Sequence, residues 1–249
     1  MISQGLVIPQ CDLLKFPIAV ENVDLTDALG IQKWEKELPI SLQGFAKGNF
    51  PSFVPKTDEE RIQNLRRNFE SGYLNGEYRI TEKLDGTSFT AYFNEGVFGV
   101  CSRNIDLKRS DGNTYWVIAD QYDLENKMTE YGVNIAIQGE IIGKGIQGNQ
   151  YGLDKIELRV FKMWDIGEKR YLYDSELREM CTLFGLKQVP DLGTFEIDNS
   201  IMNIQHVVDI AIGESTFNST MREGLVFQHL SNTDVHFKAI NNEWLMKYE

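Results

Sequence analysis

The sequence predicts an α+β fold built mainly of antiparallel sheets, and three observations carry that reading. Two strand-rich runs, 87–93 and 97–102, flank the turn Asn94-Glu-Gly96 and read as a hairpin. Two further runs, 224–230 and 235–240, lie close together near the end of the chain. Helical periodicity is inserted between these strand pairs, without the regular strand–helix alternation of a parallel sheet.

The elements follow in order. Residues 1–55 hold five of the six prolines, Pro9, Pro17, Pro39, Pro51 and Pro55, and read as an extended lead-in with one short strand at 5–8. Thr57-Asp-Glu-Glu60 has the form of a capping box, and the helix it opens puts Ile62, Leu65 and Phe69 on one face before Gly72 and Gly76 end it. Residues 78–82 form a strand that leads into the hairpin. A helix over 114–131 carries Tyr115, Ile118 and Tyr122 on one face and stops at Gly132. Strands are expected at 133–142 and 156–166, with a turn at Gly167-Glu168 and a short strand after it. Asp174 caps a helix that buries Leu177, Met180, Cys181 and Phe184 and runs to Gly185. A further helix covers about 203–213, and 241–248 adds a last helical turn. No internal repeat and no low-complexity linker interrupts the chain, so 1–249 reads as a single domain.

Composition narrows the function. The 249 residues are 42% apolar and 25% charged, a globular mix rather than a disordered or fibrous one. With 25 basic and 37 acidic residues the net charge is −12, which argues against non-specific coating of nucleic acid but leaves room for a small basic cleft. No run of about 18 apolar residues is present, so no membrane span is expected, and the first residues lack the pattern of a secretory signal. Cys11, Cys101 and Cys181 are isolated and odd in number, which gives neither a disulfide framework nor a zinc site and points to an intracellular, reducing location. His206, His229 and His236 show no metal-ligand spacing and no triad context.

Four short signals stand out. Lys83-Leu-Asp-Gly86 puts a lysine at a strand end before a turn; it reads either as a surface turn or as a nucleophile. A lysine at its ordinary pKa near 10.4 is protonated and cannot attack, so the second reading needs a cleft that frees the amine. Gln138-Gly-Glu140 ends an apolar strand with a carboxylate that packing does not explain, or else with an exposed strand-end charge. Glu223-Gly-Leu-Val-Phe227 repeats the acid–glycine step. Phe237-Lys238-Ala-Ile240 places a lysine inside an apolar strand, where an edge-strand gatekeeper is the alternative. Together, two lysines and two carboxylates on strands or strand ends suit phosphoryl chemistry: a neutral amine attacks phosphorus, carboxylates hold a hydrated divalent ion, and a cation offsets phosphate charge.

These signals, in this order, resemble the motifs of the covalent nucleotidyltransferases, which include RNA ligases, DNA ligases and capping enzymes. Lys83-Leu-Asp-Gly86 looks like their motif I and Ser102-Arg103-Asn104 like motif Ia. Gln138-Gly-Glu140 looks like motif III and the run from Val160-Phe161 to Asp165 like motif IIIa. Glu223-Gly-Leu-Val226 resembles motif IV and Phe237-Lys238 motif V. The likeness covers about residues 57–247. Ser3-Gln-Gly-Leu-Val-Ile-Pro9, the run from Pro55 to Asn64 and the run from Phe237 to Leu245 are similar to ATP-dependent RNA ligases in which an amino-terminal OB domain precedes the catalytic domain. The expectation is therefore a catalytic domain alone, monomeric, with that OB domain outside the chain and no carboxy-terminal OB module after it.

The resemblance implies a ligase/capping-enzyme nucleotidyltransferase fold, ATP-grasp-like, with antiparallel sheets and flanking helices. It implies that Lys83 attacks the α-phosphorus of ATP to give lysyl-AMP, that AMP passes to an RNA 5′-phosphate, and that a 3′-OH then seals the strand. Asp85, Glu140 and Glu223 would hold the waters of Mg²⁺ or Mn²⁺, with Glu140 also reaching the ribose. Phe161 would stack on adenine, Glu82 would line the nucleotide site, Lys238 would meet the α-phosphate, and Arg61 and Arg103 would contact phosphate or ribose. Many relatives carry a Lys-x-Lys pair in motif V, and its first member falls here on His236. The alternatives are a DNA ligase, a capping guanylyltransferase, and a silent nucleic-acid-binding module. Gly143-Lys-Gly145-Ile-Gln-Gly148 matches a dinucleotide pattern but is followed by more loop, so a mobile loop is expected instead. Lys108-Arg109 reads as a solvated turn or as an RNA contact.

Overall fold

The computed structural model describes residues 44–248. Two sheets organise them. The larger has eight strands in the order β1-β5-β4-β3-β6-β7-β8, with β9 also paired to β7. Its members are β1 (Ala46–Asn49), β3 (Thr87–Asn94), β4 (Val97–Cys101), β5 (Ile105–Leu107), β6 (Ile135–Ile142), β7 (Glu157–Asp165), β8 (Arg170–Tyr171) and β9 (Lys187–Gln188). The smaller runs β10-β2-β11-β12, from β2 (Gly76–Lys83), β10 (Asp191–Ile197), β11 (Gly224–His229) and β12 (His236–Ile240). All named pairs are antiparallel except β7 with β9. The α+β expectation holds.

Strand alternation in the smaller sheet separates a core face from a site face. Leu225, Phe227, Phe237 and Ala239 are buried on one side, with Phe227 and Phe237 paired across the ladder and stacked at 4.9 Å. They pack with Ile62, Phe69, Val207 and Val208 from the helices α1 (Arg66–Glu70) and α5 (Ile204–Asp209) and the 3₁₀ turn before α1. Val226, Gln228 and Lys238 point the other way, into a cavity.

Several expectations need correction. The capping box at 57–60 does not cap: the first turn is 3₁₀ over Ile62–Leu65, and its N-cap, Arg61, makes no side-chain capping bond. Glu59 is instead drawn inward to partners described below. The single helix over 114–131 is two, α2 (Thr114–Gln121) and α3 (Leu124–Tyr131), because Asp123 adopts a left-handed conformation at φ 53°. Helix α5 is shorter than 203–213. Strand β10 was not anticipated; its Asp191-Leu-Gly-Thr194 half is exposed and bulged against β2, so it shows no alternation. Within the lead-in, β1 pairs with β5, and Phe50 and Val54 pack on Tyr92 and Ala136. The strand expected at 5–8, the run from Ser3 to Pro9 and Cys11 lie outside the described residues.

Other expectations hold. Helix α4 (Asp174–Phe184) buries Leu177, Met180, Cys181 and Phe184 and ends on Gly185 in the left-handed region, but Tyr173 rather than Asp174 is its N-cap. Helix α6 (Asn242–Tyr248) follows β12. Residues 143–148 form no α-helix, only a 3₁₀ turn at Gln147–Asn149. Arg109 of the basic turn is held by Asp120 and Glu125, both at 2.6 Å, over the Trp116 ring. Among the described residues no helix is long and apolar enough to cross a membrane.

Candidate active site

Strands from both sheets line a cavity of about 310 Å³. β2 ends on Lys83, and the turn Leu84-Asp-Gly86 carries the chain from the smaller sheet to β3 of the larger one. Gly86 lets that turn press onto β6: a Cβ there would stand 2.3 Å from the Ile141 carbonyl oxygen and 2.9 Å from Glu140 Cγ. Gly224 plays the same part on the other side, where a Cβ would stand 2.3 Å from the Ala239 carbonyl oxygen. It is paired with Lys83 across the β2–β11 ladder, so Glu223 sits beside the lysine.

The Lys83 ammonium donates to Glu223 Oε1, and both side chains are mostly buried. Burial pushes the Glu223 carboxyl up, against the pull of Lys83. Burial likewise lifts Glu140 to about 8; Lys83 and Arg103 oppose the shift, and Glu223 and Asp85 add to it. Lys238 is lowered by burial and by the neighbouring charges of Lys83 and Arg61. Asp85 donates its backbone N–H to the Tyr151 hydroxyl at 2.6 Å, and its Oδ2 accepts from Gln150 at 3.3 Å. Glu82, 1% exposed, accepts the backbone N–H and hydroxyl of Thr216 on Oε2. Its Oε1, like Glu223 Oε2, is buried without a protein partner. Such atoms carry a desolvation penalty that a bound ligand or ion relieves.

The larger sheet supplies the far wall. Its β6–β7 register shifts between Gln138 and Gly139, so Phe161 sits in a bulge of β7. Both Phe161 and Lys162 therefore line the cavity, with Leu84, Val189 and Val226 as apolar company. Trp164 lies in the Tyr92–Ala136 cluster and donates to the Phe53 carbonyl at 3.0 Å, which assigns the cavity face to Phe161.

The structure thus brings Glu82, Lys83, Glu140, Phe161, Glu223 and Lys238 together, with Arg103 at the wall beside Asp58, its ion-pair partner. Arg61 is exposed, and its backbone bridges to Lys238. Lys238 does lie on an edge strand, as the alternative reading required, yet its side chain enters the cavity. Sequence reasoning missed Glu59, Lys162, Tyr151 and Thr216. The lysine in the apolar run Val160-Phe-Lys-Met-Trp164 was the one visible signal among them. Among the described residues no three His, Cys, Asp or Glu side chains form a direct metal cage.

A family model described as RNA ligase matches residues 76–240. Among solved structures, a mutant Naegleria gruberi RNA ligase without ligand is 34% identical, with a TM-score of 0.77, over 95% of this chain and 70% of that one. The same organism's ligase with pyrophosphate is 35% identical, with a TM-score of 0.76, over 95% of this chain and 71% of that one. A mutant of it with AMP and Mn is 35% identical, with a TM-score of 0.76, over 99% and 74%. No curated protein matched the chain.

Proposed function

The chain belongs to the RNA ligase family, and from that premise we propose that it is an ATP-dependent RNA ligase catalytic domain that works through a lysyl-AMP intermediate on Lys83. The observation that carries the reading is the Lys83–Glu223 pair, flanked by Glu140 and Lys238 and opening on one cavity of nucleotide size. The Naegleria structures with ATP and Mn, with AMP and Mn and with pyrophosphate support the same ligands here.

In this reading the base of ATP lies among Leu84, Phe161, Val189 and Val226, with the free Glu82 oxygen able to accept from it. The phosphates run toward Lys83, Arg103 and Lys238. Glu223 orients the Lys83 amine, and its raised proton affinity fits it to take the proton the amine gives up. Lys83 Nζ forms a bond to the α-phosphorus, the bond from that phosphorus to the bridging oxygen breaks, and pyrophosphate leaves with the electron pair. Lys238 offsets the charge that develops on the α-phosphate. AMP then passes to an RNA 5′-phosphate, and a 3′-OH displaces AMP to join the strands.

Asp85, Glu140 and Glu223 would hold Mg²⁺ or Mn²⁺ through water. The fit rests on the charges of Glu223 and Asp85, which raise Glu140, on that of Asp85, which raises Glu223, and on the unpartnered Glu223 oxygen. When bound, the ion supplies positive charge against the phosphate oxygens.

A sealing assay tests the reading. Wild type given ATP, Mn²⁺ and 5′-phosphorylated RNA yields adenylylated and joined RNA. Lys83→Ala yields neither from ATP, yet joins RNA supplied already adenylylated. Joining from ATP by Lys83→Ala, or none by folded wild type on any RNA end, would overturn it.

A further inference from the structure

The turn Leu84-Asp-Gly86 lies between two strands and belongs to neither ladder, so its backbone groups need partners from elsewhere. Asp85 finds them in the loop between β6 and β7. Its N–H donates to the Tyr151 hydroxyl at 2.6 Å. Gln150 Nε2 donates to Asp85 Oδ2 and to that same hydroxyl, both at 3.3 Å. Tyr151 is buried; its ring packs with Leu84, Ile142 and Val189 and meets the Phe217 ring at 5.0 Å. Neither Tyr151 nor Gln150 lines the cavity, whereas Leu84 and Gly86, on either side of Asp85, do.

The loop is itself tied down from three sides. Asn149, left-handed at φ 51°, bonds Leu153 through both ends of its side-chain amide, at 2.9 and 3.1 Å, and so closes a ring around Gln150 and Tyr151. Asn218, from the loop before β11, donates to the Gln150 carbonyl at 2.8 Å. The buried Trp244 of α6 donates its indole N–H to Gln150 Oε1 at 3.5 Å. The loop after the glycine-rich stretch and helix α6, neither of which the chemistry uses, thus converge on the pair that holds Asp85. The Asp85 charge raises both Glu140 and Glu223, so the pose of this one carboxylate bears on the whole acidic group.

We propose that Tyr151, backed by Gln150, is a positioning residue that holds Asp85 in the pose from which its carboxylate serves a divalent ion, so that the Tyr151 hydroxyl sets how readily the site takes up Mg²⁺ or Mn²⁺. The inference rests on the nucleotide-site reading above. Partners that orient an ion-holding group are worth about 10- to 100-fold in ion affinity or activity. Tyr151→Phe keeps the ring and its packing and removes only the hydroxyl that accepts from Asp85. Gln150→Leu removes the bond to the carboxylate and leaves Tyr151 in place.

The test has two readouts. Amide exchange followed by NMR reports the bond itself: exchange at Asp85 quickens about tenfold in Tyr151→Phe, while amides in the middle of β2 and β3 keep their protection. The second readout is the Mn²⁺ concentration that gives half-maximal labelling of Lys83 in single turnovers at saturating ATP. It rises about tenfold in Tyr151→Phe and moves the same way in Gln150→Leu, and excess Mn²⁺ restores the rate. Should Tyr151→Phe not fold, Gln150→Leu, at a half-buried position, carries the test. With wild type labelled, three results each overturn this inference alone: an unmoved half-saturation, a rate lowered equally at every Mn²⁺ concentration, and unchanged exchange at Asp85. No labelling of folded wild type removes the nucleotide-site reading and this inference with it.

Discussion

The two ends of the cavity solve the problem of buried charge in opposite ways. Around Lys83, burial pushes Glu140 and Glu223 toward their protonated forms, and oxygens of Glu82 and Glu223 have no protein partner. At the other end Glu59 is held well below its ordinary range, and its two oxygens are bonded to Lys162 and His236 from different sheets. The first end leaves carboxylate oxygens buried and unbonded; at the second both carboxylate oxygens are bonded from within the protein. Removing a side chain should therefore cost chemistry at the first and stability at the second.

The largest expected effect is on stability. Glu59→Gln leaves Lys162, 3% exposed, without its counter-charge, which costs about 3 kcal/mol. In a chain of this size that lowers Tm by about 6–12 °C, readable by calorimetry. The sign with pH follows. Glu59 is depressed from 4.5 to about 2, so its contribution is complete above the unfolded value and fades as pH falls from 4.5 toward 2. The gap between wild type and variant must narrow over that range; a constant gap would make the bridge incidental.

How much of this was legible follows from the same contrast. Lys83, Asp85, Glu140, Glu223 and Lys238 announce themselves locally, each as a charge beside glycine or inside an apolar strand. Glu59, Lys162 and His236 take their meaning from partners 103 and 177 residues away. Read alone, they are a capping box, a strand lysine and an isolated histidine. Helix α4 was readable because its burial follows a regular helical period, and the first hairpin because two runs rich in strand-forming residues flank a glycine turn. β10 was not, because an exposed edge strand imposes none. The break at Asp123 was hidden because a left-handed residue leaves the surrounding periodicity intact.

At the first end, Glu223→Gln keeps the shape but not the proton acceptor, and lowers the rate of lysine adenylylation about a hundredfold in single-turnover assays, with the melting temperature unmoved. An undiminished rate would take Glu223 out of the chemistry. Glu140 carries a smaller effect with a clear sign. Its folded value, about 8, lies above the ordinary 4.5, so charging it costs stability as pH rises from 4.5 through 8. An ion held by the charged form then displaces a proton. Mn²⁺ affinity rises by up to about tenfold per pH unit below 8, and Glu140→Gln flattens that slope. Equal slopes in both proteins would remove Glu140 from the ion site. Phe161→Ala is the mildest: loss of stacking raises KM for ATP about tenfold with kcat little changed. An unchanged KM would shift adenine onto another wall.

The most direct measurement is covalent labelling. Wild type is incubated with α-labelled ATP and Mn²⁺, denatured and run on a gel beside Lys83→Ala, with intact folding of both checked by circular dichroism. The account predicts label that survives denaturation on the wild-type band and none on Lys83→Ala. Label persisting on Lys83→Ala, or none on folded wild type, would contradict it.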